Sequence, residues 1–441
     1  MSASGNGHPP GPRRVGLLAV VALAASVALT GCASKPHPAS RKVEITFWSW
    51  ANTKPAVDLW NKTHPDIQVK YVTPASGTVL FQALASAEFA GKGIPDVVQV
   101  DYHNLPTLVA GNELQDITGY ASSAKANFVA AAWNVVTPGG KVWAIPQDLG
   151  PVAMYYRKDI FAKYRLPVPT TWDQYAQVAR RLHAADPTRY IAAFPPADAS
   201  WFASRAWEAG AQWFSTGNDA WHVTINSPQT KRVAQFWQDL VTSGAAKVDT
   251  DWSPSWFKGF QDGTYATWLS ASWGAGPLKT NAPKTSGDWA VSNLPQWTPD
   301  ATLASFWGGS ANAVPRGAKH AKEAVEFAVW LNSNAQASSS LIPDPPAGGG
   351  LFPASLAGQA NPLLNKPDPF FGGQTVNSVF RTAATQVPPW VWGPTMDQVY
   401  SDLGDGFTKA LEDGTSLASA LDQVQAQTVA ALQKKGLQVV G

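Results

Sequence analysis

The chain has 441 residues, of which 45% are hydrophobic and 15% are charged. It is longer than an ordinary single domain, and its composition excludes a disordered or collagen-like chain. Lys and Arg number 33 against 31 Asp and Glu, without a long basic run, which argues against nucleic-acid binding. The single Cys excludes a disulfide framework and a Cys-based metal site.

The N-terminal residues have the pattern of a bacterial export signal. Two arginines precede an apolar run, 15–29, that is too short to span a bilayer comfortably. The run ends in the sequence LTGC at 29–32, which resembles the lipobox of bacterial lipoproteins and implies cleavage before Cys32 and a lipid on its thiol. We expect residues 1–31 to be a signal peptide and residues 32–42 a tether, with the protein extracytoplasmic and lipid-anchored to the cell membrane. A plain secretory signal followed by a chance Cys is the alternative.

Strands and helices alternate at the start of the folded part. The predicted elements are strands over 44–48, 67–71 and 96–100 and helices from Pro55 to the break at Pro65, over 78–89 and over 103–110. This order predicts an α/β fold with a parallel sheet covered by helices on both faces. Ligands of such sheets bind outside the carboxyl ends of the strands, so residues 49–53 and 101–104 are candidates for ligand contact.

The later elements continue the mixed pattern. They are a strand over 141–145, a helix from the capping box at 171–174 to 182, helices from 227 and over 256–260, a strand over 264–269, a helix over 318–331, a loop or crossover over 338–350, and helices over 396–411 and 417–432.

The motifs of common catalytic and metal-binding chemistry are missing from the sequence. No two histidines are three or four residues apart, and no Walker A, GxSxG or EF-hand pattern occurs. We therefore expect no metal and no cofactor. Glycoside hydrolases need only two carboxylates at a suitable distance, so a secreted carbohydrate-active hydrolase stays an alternative.

The 21 tryptophans are the most informative feature of the composition. Sugar rings present apolar C–H faces and a rim of hydroxyls, which indole faces and carboxylate or amide groups suit. On amphipathic helices, Trp60, Trp237 and Trp330 are expected in the core. Several tryptophans instead stand beside turn residues: Trp50, Trp201, Trp273, Trp307, Trp390 and Trp392.

Several stretches of the chain resemble the extracellular solute-binding proteins of ABC importers, in the branch that includes maltose-binding protein. They are ITFWSW at 45–50 before a helix ending in HPDI at 64–67, GIPDVV at 93–98, AIPQD at 144–148 followed by MYYRKDIF at 154–161, PTTW at 169–172, and the segments 263–273 and 323–332. They occur in the family's order, and the resemblance covers about residues 43–435. The Tyr156-Arg157 pair departs from the family's usual YN, which does not affect the fold.

The resemblance implies a two-lobe periplasmic-binding-protein fold, in which two α/β lobes joined by hinge strands close on the ligand. We expect lobe 1 over 43–147 and 303–335 and lobe 2 over 148–302 and 336–441. The ligand-binding residues that we predict, some from the resemblance and some from the turn context of the tryptophans, are Trp50, Asn52, Asp101, Tyr102, Asp148, Trp201, Trp273, Gly309, Ser310, Trp390 and Trp392.

The function that the resemblance implies is capture rather than catalysis. A monomeric globule would bind a di- or oligosaccharide between the lobes and deliver it to two permease subunits that a cytoplasmic ATPase powers. A glycerophosphodiester or an amino sugar is the alternative ligand.

Overall fold

The computed structural model describes residues 42–74, 76–217 and 219–440. The predicted signal peptide, the predicted lipidation site Cys32 and all of the tether except Lys42 lie outside these ranges. Within them, no helix is both long and apolar enough to cross a membrane.

The strands and α-helices follow the chain in mixed order. The strands are β1 (Val43–Trp48), β2 (Ile67–Val72), β3 (Val97–Asp101), β4 (Ala144–Arg157), β5 (Ala193–Phe194), β6 (Phe214–Gly217), β7 (Ala220–Val223), β8 (Lys247–Val248), β9 (Thr267–Ala271), β10 (Trp289–Ser292), β11 (Phe306–Ala313), β12 (Phe352–Pro353) and β13 (Val439–Val440). The α-helices are α1 (Lys54–Thr63), α2 (Gly77–Ala90), α3 (Leu105–Ala110), α4 (Thr118–Ala121), α5 (Ala130–Val135), α6 (Lys158–Lys163), α7 (Trp172–Ala185), α8 (Ala199–Glu208), α9 (Pro228–Thr242), α10 (Pro254–Asp262), α11 (Ala275–Asn281), α12 (Ala321–Ser333), α13 (Ala335–Leu341), α14 (Leu356–Gln359), α15 (Val376–Thr385), α16 (Met396–Glu412) and α17 (Leu417–Lys434).

The first three strands form the parallel part of the largest sheet. β1 pairs in parallel with both β2 and β3. Helix α1 buries Ala56, Val57 and Trp60, and the Trp60 ring packs edge-on against the partly buried Trp330 of α12 at 5.2 Å between centroids. Trp60 and Trp237 are each 1% exposed, which confirms both as core residues.

The parallel order that the sequence predicts ends at β3. The sheet runs in the order β10-β4-β11-β3-β1-β2, and β11 lies between β3 and β4, antiparallel to both. β9 and β12 also pair with β4. The early alternation of strands and helices thus describes one side of the sheet correctly and does not extend to its second half.

Strand β4 is longer than the sequence indicates. It is 14 residues long, whereas the pattern predicts a short strand over 141–145. Pro146, Gly150 and Pro151 interrupt the apolar pattern, and proline inside a run argues against a strand. The structure accommodates the run through register shifts against β11. Gly150 is needed for close packing, because a Cβ atom there would overlap the Trp307 carbonyl oxygen.

Strand β4 joins two groups of strands. Its first part pairs with β11, as far as Pro151, and with β12, at Asp148 and Leu149. Its second half, from Val152, pairs with β9 and β10. Since β11 begins opposite Pro151, β4 and β11 run side by side through the region where the partners of β4 change.

Two small sheets and the C-terminal helices complete the described chain. The sheets are β13-β7-β6 and β5-β8, and α16 and α17 begin at Met396 and Leu417, as predicted. The loop predicted over 338–350 starts later in the structure, because α13 extends to Leu341. The Asn334 side chain caps this helix by accepting hydrogen bonds from the next turn.

Candidate ligand-binding crevice

A cavity lies where β3 ends and β11 begins. Its volume is about 200 Å³. We call it the aromatic cavity, and its walls are Asp101, His103, Asp198, Ser200, Trp252, Trp273, Phe306, Trp307, Gly308, Trp392 and Tyr400. They come from the loop after β3, the start of α8, the turns before α10 and after β9, β11, and the region of α16. The position at the carboxyl end of β3 agrees with the rule for open α/β sheets.

Three indole rings form one wall of the aromatic cavity. The ring centroids of Trp273 and Trp307 are 4.7 Å apart, and the Trp252 ring lies 5.8 Å from that of Trp273. Trp273 Nε1 donates to the Trp307 carbonyl at 3.0 Å, and Trp307 Nε1 donates to Ser200 Oγ at 2.9 Å. Because these N–H groups are already paired, the rings are fixed and offer mainly their apolar faces to a ligand.

Trp252 is a wall residue that the sequence analysis missed. It is 47% exposed, and its backbone has the left-handed φ of 60°, which costs an L-residue about 1–2 kcal/mol. It stands in the short segment between β8 and α10, where Ser253 caps α10 by accepting from the Trp256 N–H. The same signal that selected the other tryptophans, a position beside turn residues, would have selected Trp252.

A second cavity adjoins the first through a common wall. Its volume is about 530 Å³. We call it the acidic cavity, and its walls are Gly77, Thr78, Phe81, Gln82, Leu84, Ala85, Asp101, His103, Asn104, Thr107, Leu108, Glu113, Asp397 and Tyr400. Asp101, His103 and Tyr400 line both cavities. We call the two neighbouring cavities together the crevice, with an aromatic end and an acidic end.

Two residues of the common wall, Asp101 and His103, have shifted pKa values. Burial, followed by the charges of Asp148 and Asp397, raises the pKa of Asp101 to about 7. Burial lowers the pKa of His103 to about 4, so its imidazole is neutral at pH 7. A neutral imidazole can donate through one nitrogen and accept through the other, and a carboxyl group accepts. This wall can therefore serve the hydroxyl groups of an uncharged ligand.

Four predicted site residues form a buried network beside the crevice: Tyr102, Asp148, Gly309 and Ser310. Asp148 is 4% exposed and accepts hydrogen bonds from the Ser310 N–H at 2.9 Å and Oγ at 2.5 Å. Burial raises the pKa of Asp148 to about 7 against the effect of these bonds. Gly309 has a φ of 93° and lies against the Tyr102 ring. The structure brings the four together but places none of them in the walls of the two cavities.

The two candidates after β1 have different positions. Trp50 lies near Asp101, since both side chains come within 3.7 Å of the space that a Cβ atom on Gly77 would occupy. Asn52 points to the crossover after α13, where its Nδ2 donates to the Pro346 carbonyl at 2.9 Å. Neither residue lines the two cavities, and their role in binding stays a prediction.

Of the three remaining tryptophan candidates, one lines a cavity and the other two pack against residues of the protein. Trp392 lines the aromatic cavity. Trp390 stacks on Trp207 with 5.0 Å between centroids and 23° between planes. Trp201 is 3% exposed, and its Nε1 donates to the Leu269 carbonyl at 3.1 Å. Of the predicted residues, Asp101, Trp273 and Trp392 are thus the ones that the structure places in the walls.

The fold belongs to a known class of two-lobe binding proteins. The structure superposes on the galacto-N-biose-/lacto-N-biose I-binding protein of the ABC transporter from Bifidobacterium longum, in complex with lacto-N-biose, with a TM-score of 0.82 and 30% identity, covering 90% of this chain and 99% of that one. It also superposes on the ABC transporter associated binding protein from B. animalis subsp. lactis Bl-04, in complex with β-1,6-galactobiose, with a TM-score of 0.80 and 28% identity, covering 91% and 100%. The two-lobe periplasmic-binding-protein fold is thereby confirmed.

Residues 49–338 match the family model of the bacterial extracellular solute-binding proteins. The chain belongs to this family. The lactose-binding protein of Rhizobium radiobacter is 26% identical to it, over 92% of this chain and 97% of that one. The arabinooligosaccharide-binding protein of Bacillus subtilis is 22% identical, over 73% and 77%. These relatives are binding proteins by name, which agrees with the predicted class.

Proposed function

We propose that this protein captures a di- or oligosaccharide for an ABC importer and is not an enzyme. The observation that carries the proposal is the aromatic cavity, where Trp252, Trp273 and Trp307 line the same space as Asp101. Indole faces cover the apolar side of a sugar ring, and carboxyl oxygens accept from its hydroxyl groups. The relatives named for lactose, lacto-N-biose and β-1,6-galactobiose support the same ligand class.

The crevice is suited to a ligand that touches both lobes. We assign residues 43–147 and 303–335 to lobe 1 and residues 148–302 and 336–441 to lobe 2. With these bounds, Asp101 and His103 belong to lobe 1, and Trp252 and Trp273 belong to lobe 2. A ligand that contacts both pairs stabilises the closed form, because only that form offers all contacts at once.

Delivery requires partners and a position at the membrane. We propose that the closed form docks on two permease subunits powered by a cytoplasmic ATPase, and that a lipid on Cys32 holds the monomeric globule outside the cell membrane. Replacing Cys32 by Ser removes the thiol that accepts the lipid. The C32S protein should leave the membrane fraction and enter the soluble extracytoplasmic fraction, and retention in the membrane would refute the anchor.

A ligand screen tests the proposed capture. Residues 33–441 would be titrated with lactose, lacto-N-biose, β-1,6-galactobiose, maltose and arabinooligosaccharides, with glycerophosphodiesters and amino acids as outgroups. A ligand at about 100 times its dissociation constant adds roughly 2.7 kcal/mol of stability, which a thermal melt detects, and tryptophan fluorescence gives a second signal. Binding by the outgroups alone would refute a saccharide ligand.

The same samples distinguish capture from hydrolysis. Each saccharide that binds would be incubated with the protein and analysed chromatographically for shorter products. A capture protein returns the saccharide intact at any incubation time. Cleavage that scales with protein concentration would instead support the carbohydrate-active hydrolase.

A further inference from the structure

The acidic cavity has no positive charge in its walls. Its carboxyl groups are those of Asp101, Glu113 and Asp397, and among the described residues no Lys or Arg lines either cavity. His103 does not offset them, since its pKa of about 4 leaves it neutral at pH 7. Among the described residues, no cationic side chain in the walls therefore compensates the charge of these carboxyl groups.

The aromatic end differs in this respect. Asp198 lines the aromatic cavity, and it interacts electrostatically with the buried guanidinium of Arg205. Asp198 also uses Oδ1 to cap α8, accepting from the Trp201 N–H at 2.9 Å. Its charge is thus partly engaged within the protein, whereas Glu113 and Asp397 line only the acidic cavity.

The acidic cavity is also rich in hydrogen-bond acceptors. Asn104 is 7% exposed, and its Nδ2 is occupied by a hydrogen bond to Asp397 Oδ1 at 2.6 Å. Its Oδ1 is buried without a hydrogen-bond partner. Together with the carboxyl oxygens, this leaves acceptors that need donors from a ligand. A hydroxyl group supplies one donor and an ammonium group three, whereas a carboxylate or phosphate dianion supplies none.

We propose that the acidic cavity is the second half of the ligand site and that it selects against negative charge. The protein then takes uncharged and amine-bearing saccharides and rejects carboxylated or phosphorylated ones of the same length. This inference rests on the proposed capture of a saccharide and names the chemical class within it. It favours an amino sugar over a glycerophosphodiester among the alternative ligands.

Two charged derivatives of one saccharide test the selection. The neutral disaccharide that binds best in the screen would be oxidised to its aldonate and, separately, reductively aminated to its 1-amino-1-deoxyalditol. Both derivatives have the same opened terminal unit, so their affinity ratio reports charge rather than shape. Calorimetry at pH 8 keeps Asp101 largely ionised and the primary amine protonated. We expect the amine to bind about tenfold or more tightly than the aldonate.

A pair of variants connects the ratio to the cavity. D101N removes one carboxylate at nearly constant shape and should bring the ratio of the two affinities closer to one. D405N is the matched control, because Asp405 is exposed on α16, lines neither cavity and changes the net charge by the same amount. Melting curves verify that each variant is folded.

The possible outcomes distinguish a failure of the charge selection from a failure of saccharide capture. A ratio of one or less in the wild type, or one that D101N and D405N alter equally, overturns the charge selection while saccharide capture stands. If no neutral saccharide binds at all, the proposed function fails and the selection fails with it.

Discussion

Replacing Trp252 by Ala tests the aromatic wall most directly. The side chain is 47% exposed in the crevice. A Trp side chain has roughly 200 Å² of surface, so about 90 Å² is open to a ligand. At about 25 cal/mol per Å², full coverage contributes roughly 2.3 kcal/mol, and coverage of one ring face contributes about half of that. The dissociation constant of W252A should therefore rise between about 5-fold and 50-fold.

The backbone conformation of Trp252 makes W252G a useful second variant, which also removes the indole ring. Because φ is 60° at this position, W252G avoids the left-handed strain that W252A retains. W252G should be about 1 kcal/mol more stable than W252A in denaturant unfolding. The two variants should nevertheless bind the ligand with similarly reduced affinity.

Trp221 provides the control for losing a partly exposed tryptophan. It lies on β7 and packs edge-on against Phe214, and it lines neither cavity. Calorimetry with the saccharide from the screen would compare W252A and W221A. Equal affinities for W252A and the wild type, with both proteins folded, would refute the assignment of Trp252 to the binding wall.

The other predictions concern the walls of the cavities, the core and the buried network around Asp148. W273A should weaken ligand binding by roughly 1–3 kcal/mol in calorimetry. W201A should instead lower the free energy of unfolding by about 3–5 kcal/mol and leave the affinity of the folded fraction unchanged. The reverse pattern would assign Trp201 to the wall and Trp273 to the core. The folded state raises the pKa of Asp101 from 3.8 to about 7, so it holds a proton that the unfolded chain releases, and stability falls as the pH rises between these values. D101N should lessen the fall in melting temperature from pH 5 to pH 8, and an unaltered fall would contradict the assigned pKa. G309A places a Cβ atom 2.9 Å from the Tyr102 ring at a φ of 93°, and it should cost at least about 1–2 kcal/mol in denaturant unfolding.

Local signals in the sequence predict the first part of the fold well. The strands around residues 45, 69 and 98 have apolar runs bounded by turns, and α1 has proline in its first turn and a buried face. Such signals depend on neighbouring residues alone, so a single sequence contains them. These signals did not define the second lobe, which was predicted from the resemblance to solute-binding proteins.

The long-range pairing of β11 is what the sequence could not predict. The run FWGGSANA of β11 contains two consecutive glycines, and it reads as a turn rather than a strand. Gly308 and Gly309 have φ values of 72° and 93°, and a Cβ atom on Gly309 would lie 2.9 Å from the Tyr102 ring and 3.3 Å from the Asp148 carbonyl oxygen of β4. The need for these conformations arises only when distant segments meet, so no local pattern shows it.

The candidate site, like the fold, was predictable only where local sequence signals determine it. Asp101, Trp273 and Trp392 were predicted from their place after a strand or beside a turn, and they line the cavities. Trp201 also stands beside a turn, but α8 directs it into a cluster with Trp237 at 5.0 Å between centroids. Whether a tryptophan faces a cavity or the core depends on how its element packs, which the flanking residues do not determine.

We propose different roles for two groups of candidate residues: one group contacts the ligand, and the other supports the closure of the lobes. The ligand contacts that we propose come from side chains such as Trp252 and His103, which lie outside the region where β4 and β11 run together. Asp148 and Ser310 lie within that region and are bonded to each other. Since β4 exchanges its partners there, this buried pair is well placed to fix the relative orientation of the two strand groups. Residues of the family's predicted site can thus be important for binding without touching the ligand, by stabilising the arrangement in which both halves of the crevice meet it.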